Sequence, residues 1–168
     1  SLLSEPMAEN VRVINGVAVP SDFPEIRTIE NSPTAPGLIF YATNYPNTTG
    51  NYLIICHNDG TPYFYRKITD VVRSGNFLVH PNGLLSYHLY DQRGRRYWRH
   101  VILNEHFEQI DVYNAGHGYT TDNHEFQFLP NGHALIIGHQ VLKIDVSQII
   151  PGASRNACRR YQRFRLSW

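Results

Sequence analysis

The tripeptide Pro-Asn-Gly occurs twice, at 81–83 and at 130–132, each time four residues after a phenylalanine, Phe77 and Phe126. The surrounding runs "NFLVHPNGLLS" (76–86) and "EFQFLPNGHAL" (125–135) align at an offset of 49 residues. A second alignment, "PGLIFYATN" (36–44) on "NGLLSYHLYD" (82–91), matches Gly37-Leu38 to Gly83-Leu84 and Tyr41 to Tyr87 at an offset of 46. Between these anchors "YLIICHN" (52–58) corresponds to "WRHVILN" (98–104), and "TPYFYRKI" (61–68) to "FEQIDVYN" (107–114). A fixed period constrains a fold more than any single segment, because each repeat must be one supersecondary unit that stacks on its neighbours.

Each unit holds about four short strands separated by tight turns. Asn-Asp-Gly at 58–60 is a hairpin signal. Pro-Asn-Gly places a glycine where the backbone needs positive φ. Eleven Tyr and eight Phe, with Ile and Val between them, suit pleated surfaces. No segment carries a helical pattern. Four strands per 46–49 residues is the arithmetic of a β-propeller blade. A β-sandwich also alternates strands and turns, but its strands need no fixed period. The reading is all-β and propeller-like: about three four-stranded antiparallel blades of a larger propeller. It divides the chain into a lead-in (1–20), a partial propeller (21–152) and an Arg-rich tail (153–168). After "VLKIDVSQIIPGA" the strand pattern stops, so the tail is expected to be a truncated or frameshifted end, or a basic cap. With 168 residues there is length for about three and a half blades, and the chain starts with Ser. A piece of a longer protein is therefore expected. Its unpaired strand edges are expected to favour self-association.

Charge and cysteine content narrow the partners. Residues 155–168 carry five Arg and no acid, and the remainder is mildly acidic, with ten Lys and Arg against fourteen Asp and Glu. No nucleic-acid-binding pattern accompanies the basic tail, so no nucleic acid partner is expected. No apolar run approaches the roughly 20 residues of a spanning helix, so no membrane insertion is expected either. "SLLSEPMAEN" shows no basic n-region or apolar h-region. The two cysteines, Cys56 and Cys158, make no disulfide framework, and Cys56 in "YLIICH" reads as a buried thiol.

The chemistry, if there is any, lies with the nine histidines, five of which fall between 100 and 133. Imidazole is a nucleophile and proton carrier near neutral pH. His117, Asp122, His124 and His133 could converge, but no metal-ligand spacing is present, so neither a metal nor a cofactor is expected. His124 stands out. It follows the polar loop "NAGHGYTTDN" (114–123), and its repeat-equivalent is Gly75, so the blade template does not demand a histidine there. In a propeller the first strand of a blade lines the central channel. His124 is therefore placed at a channel mouth, with His117 and Thr121 as weaker candidates for contacting substrate. Arg73, Arg95, Arg96 and Arg99 are expected at hairpin ends.

The run "NAGHGYTTDNHEFQFLPNGHALIIGHQ", followed by "KIDVSQIIPG", resembles the arylsulfotransferase family, the bacterial aryl-sulfate type that uses no nucleotide donor. Its most specific piece is H-[DE]-[FL]-Q-x-L-P-N-G, here His124 to Gly132, with Asp145-Val146-Ser147 downstream. The resemblance covers roughly residues 20–152. It implies a six-bladed propeller in a periplasmic or secreted protein. It also implies transfer of a sulfuryl group from an aryl sulfate to a phenol acceptor through a sulfohistidine. Of the family's residues, His124 carries over, for binding the sulfuryl oxygens or moving a proton. The family's nucleophilic histidine would fall in a later blade, beyond this chain, which by itself is expected to be inactive. The alternative is a non-catalytic secreted propeller that binds or scaffolds. A quinoprotein-like propeller lacks its recurrent tryptophans, since only Trp98 and Trp168 are present.

Overall fold

A computed structural model describes residues 11–30, 32, 35–43, 50–69, 73–91, 97–144, 147, 150, 152 and 157–167, with the backbone alone at 91, 97, 142–144 and 157–167. Every regular element among them is a strand. The chain divides into two units, Ser1–Gly75 and Asn76–Trp168.

In the first unit β1 (Val11–Ile14) and β2 (Val17–Pro20) form a hairpin, and β3 (Ile39–Ala42), β4 (Asn51–Cys56) and β5 (Pro62–Ile68) form a three-stranded antiparallel sheet. The hairpin lies within what the sequence reads as lead-in. The central strand β4 is buried at every position. Tyr52, Ile54 and Cys56, alternate residues on one face of it, pack with Val19 and Phe23 into one core. Phe23 meets the Tyr52 and Tyr65 rings edge-on, each at 5.2 Å. The Tyr52 hydroxyl donates to Asp22 Oδ1 at 2.7 Å, and Lys67 Nζ pairs with Asp22 Oδ2. Lys67 first, then Tyr52, hold the Asp22 carboxyl below its usual range. Cys56 is a buried free thiol, as expected.

The second unit begins inside β6 (Arg73–Val79). It continues through β7 (Leu85–Asp91), β8 (Tyr97–Leu103) and β9 (Gln109–Tyr113) as a four-stranded sheet in chain order. A second sheet follows, again in chain order, of β10 (Thr120–Phe128), β11 (Ala134–Ile144) and β12 (Ala157–Ser167). Its core gathers Ile102, Phe126, Ala134 and Ile136, with Leu84, Tyr113 and Phe128 against them. Arg99 lies inside β8 rather than at a hairpin end. Arg95 and Arg96, like Asp145 and Val146, lie outside the described residues.

The strand pattern does not end at residue 152. β12 pairs with β11 residue for residue, from Ile144↔Ala157 to Ala134↔Ser167. Arginines interrupt the apolar alternation that marks a strand in sequence. An outer strand tolerates them because its ladder is made by the main chain.

The periodicity in the sequence is a periodicity of turns. Residues 57, 80, 104 and 129 each donate N–H to the carbonyl four residues on and accept from the N–H three residues on. The residue third after each start has positive φ: Gly60 (84°), Gly83 (80°), Phe107 (61°) and Gly132 (83°). In three of the turns an Asp or Asn side chain accepts the N–H two residues later: Asp59 from Thr61, Asn82 from Leu84, Asn131 from His133. The fourth has Phe107 in the left-handed position. It is held by Asn104 Oδ1, which accepts from both His106 and Glu108 at 2.9 Å.

Two glycines with the same φ should respond differently to alanine. At Gly132 an added Cβ meets nothing within 4 Å, so Gly132→Ala should cost its unit only the left-handed strain, about 1 kcal/mol. At Gly60 the Cβ would lie 2.9 Å from Ile26 Cγ2 and 3.2 Å from Thr28 Oγ1. Gly60→Ala should therefore cost about 2–3 kcal/mol in its own unit once overpacking is added. Urea midpoints of the two variants check the order, and equal losses would contradict it.

Candidate functional site

The pairing of β10 with β11 is interrupted. Thr120 faces His139 and Thr121 faces Gly138, but the next pair is Phe126 with Ile136. The four residues from Asp122 to Glu125 thus stand against Ile137 alone, a bulge of three extra residues. A bulge bends its strand and re-aims side chains. Strand β10 begins at Thr120, so His124 sits in this bulge rather than at the head of the strand.

Polar groups replace the lost ladder bonds. Asp122 Oδ1 accepts the His124 backbone N–H at 2.8 Å, a local turn that short Asx side chains favour. His100 Nε2 donates to the Asp122 carbonyl at 3.1 Å. Asn76 Nδ2 donates to the His124 carbonyl at 3.0 Å. Asn76 follows Gly75, the repeat-equivalent of His124, and adopts φ 52°. Behind the bulge the Phe126 ring lies 5.1 Å from the His100 ring.

Asp122 is the hub. Its Oδ1 lies 2.6 Å from His124 Nδ1, and its Oδ2 is hydrogen-bonded to His139 Nε2. Burial pushes the Asp122 carboxyl up. The His124 backbone N–H, His139 and the His124 ring outweigh that and leave it below its usual range, so it is a carboxylate at neutral pH. The Asp122 side chain is 7% exposed and the His124 side chain 75%. With Nδ1–H given to the carboxylate, the neutral His124 ring carries its lone pair on Nε2. A carboxylate holding a partly solvated imidazole this way suits proton transfer.

These groups border a cavity of about 240 Å³. Its apolar wall is Tyr90 and Trp98, whose rings lie 5.0 Å apart. Thr120, Asn123, Asp122, His124 and His139 supply polar lining, and among the described residues no Lys or Arg lines it. Behind Trp98, the buried His88 meets its ring edge-on at 4.9 Å, and neither His88 nitrogen has a hydrogen-bond partner. His100 lies 6.4 Å from His88. Burial first, then the neighbouring imidazole, pushes His88 down to about 4. Burial likewise pushes His100 down to about 4, against the opposing pull of Asp122.

Of the residues singled out in the sequence, His124 and Thr121 line this cavity. Thr121 is buried, and its hydroxyl accepts the Ala115 N–H at 2.8 Å, so it braces the β9–β10 loop. His117 is exposed on that loop with φ 58° and is not among the lining residues. His133 sits at the far end of β10, in the turn to β11. Sequence reasoning missed the roles of His139, His100, Tyr90 and Trp98. The one local signal was Asp122 two residues before His124. Among the described residues no three His, Cys, Asp or Glu side chains are grouped to hold a metal ion.

Comparison of the chain with family models, with curated proteins and with solved structures finds no match.

Proposed function

We propose that the chain is part of a β-propeller of the arylsulfotransferase kind and that the bulge site takes part in sulfuryl transfer from an aryl sulfate to a phenol. The carrying observation is His124 held through Nδ1 by the Asp122 carboxylate at the edge of an aromatic-walled cavity. The propeller reading is supported by sheets whose strands follow chain order and by the four recurring turns. In this reading Tyr90 and Trp98 hold the aryl ring. The imidazolium of His124 gives its proton to the departing phenolate as the donor's S–O bond breaks and an S–N bond forms to the nucleophilic histidine of a later blade. His124 Nε2 then takes the acceptor's phenolic proton as that S–N bond breaks and the new S–O bond forms. The imidazolium form of His124 would set positive charge against the sulfuryl oxygens.

The paired Tyr90 and Trp98 rings of the wall favour a second reading, a cavity that binds uncharged aromatics without chemistry. Turnover of 4-nitrophenyl sulfate with phenol as acceptor separates the two. In a longer chain that carries the nucleophilic histidine, transfer predicts acceptor-dependent nitrophenolate release that falls about 100-fold in His124→Ala. Phenol binding without release by that longer chain would establish the second reading instead.

A further inference from the structure

Asp122 presents one carboxylate to two imidazoles, and the two differ in every respect that governs protonation. The His124 side chain is 75% exposed, and its Nδ1 meets Oδ1. The His139 side chain is 11% exposed, its Nε2 meets Oδ2, and its buried Nδ1 has no hydrogen-bond partner among the described residues. A protonated His139 would leave a buried N–H without an acceptor, which costs far more than a bare ring nitrogen does. His139 therefore gives its Nε2–H to Oδ2, and His124 is the member that meets water. The other titratable neighbours are His88 on β7, His100 on β8, Glu125 on β10 and Tyr90 in the cavity wall. His100 is spent on the Asp122 carbonyl rather than on the carboxylate.

We propose that His139 is a positioning residue for His124. Its Nε2–H clamps Asp122 Oδ2 and fixes the carboxylate plane. Oδ1 then holds His124 as the Nδ1–H tautomer, with Nε2 as the proton acceptor. The torsion that turns a carboxylate is broad. Without a donor on Oδ2, that buried oxygen is orphaned, and the carboxylate turns to bring it to the His124 backbone N–H, which draws Oδ1 away from Nδ1. The role deepens the proton-transfer reading of His124 and rests on it for its functional meaning.

The test is long-range ¹H–¹⁵N correlation of the histidine rings in the labelled chain near pH 8, with no substrate present. His124 is expected as the Nδ1–H tautomer and His139 as the Nε2–H tautomer. His139→Leu should move His124 to the Nε2–H form that predominates in free imidazole side chains. His139→Gln, whose amide can donate to Oδ2, should restore Nδ1–H. Finding His124 as Nε2–H, or His139 as Nδ1–H, in the unaltered chain overturns the proposal even if the Leu variant fails to fold. So does a folded Leu variant whose His124 tautomer is unchanged. The tautomers are read without turnover. The expected tautomers in a longer chain that carries the nucleophilic histidine but transfers no sulfuryl group would refute the transfer reading and leave the positioning role supported.

Discussion

Acidified from pH 7 to pH 4, the Asn76–Trp168 unit is expected to lose on the order of 5 kcal/mol of stability. The cause is the buried pair His88 and His100, each pushed down to about 4 from an ordinary 6.5. Above pH 6.5 both rings are neutral whether the unit is folded or not, and they contribute no pH dependence. Below it the unfolded chain takes up two protons that the folded unit refuses, so stability falls steadily until the folded rings titrate near pH 4. Each shift corresponds to about 3 kcal/mol, and the repulsion between the rings is shared, so the pair contributes slightly less than twice that. Asp122 adds loss in the same direction at lower pH, because its carboxyl is held down in the fold. Urea unfolding at half-unit intervals of pH measures the slope. His88→Leu, which removes two buried nitrogens without partners, should flatten it by roughly half. A midpoint that stays constant between pH 6.5 and 4 would contradict the account.

Phe126→Ala should cost the same unit about 3–5 kcal/mol and disorganise the site with it. Phe126 is 2% exposed, and its ring lies within 5.5 Å of the His80, His100, Tyr113 and Phe128 rings. It is also the first residue to regain ladder register after the bulge, opposite Ile136. Truncation leaves a cavity between the two sheets of the unit and frees the His100 ring that anchors the Asp122 carbonyl. Phe126→Leu keeps most of the volume and should cost less than half as much. Calorimetric or urea midpoints check both values, and a loss below about 1 kcal/mol for Phe126→Ala would show that Phe126 is not the centre of this core.

The turns were legible because their chemistry is local. A glycine at positive φ preceded by Asn or Asp is visible in any sequence, and three of the four recurring turns carry it. The fourth was not legible: the repeat sets Phe107 opposite Thr61, and only the structure shows it in the position of Gly60. β12 was not legible, because edge pairing is a main-chain property and the Arg-rich segment offers no apolar alternation. At the site, His124 could be singled out by its departure from the repeat, and Thr121 by its place at the same mouth. Their partner His139 could not. It pairs across the sheet with Thr120, and its meeting with Asp122, two residues on along β10, depends on a register that the sequence does not display. A bulge is set by what anchors it, here Asn76, His100 and Asp122 itself, and those contacts span up to 48 residues of chain.

The most direct test of the central claim is titration of the ¹⁵N-labelled chain with 4-nitrophenyl sulfate, with inorganic sulfate and phenol as separate controls. The account predicts saturable movement of the His124 ring and Trp98 indole resonances together, larger for the aryl sulfate than for either control, and lost in His124→Ala. Resonances at both residues that stay fixed while the aryl sulfate is added would contradict it.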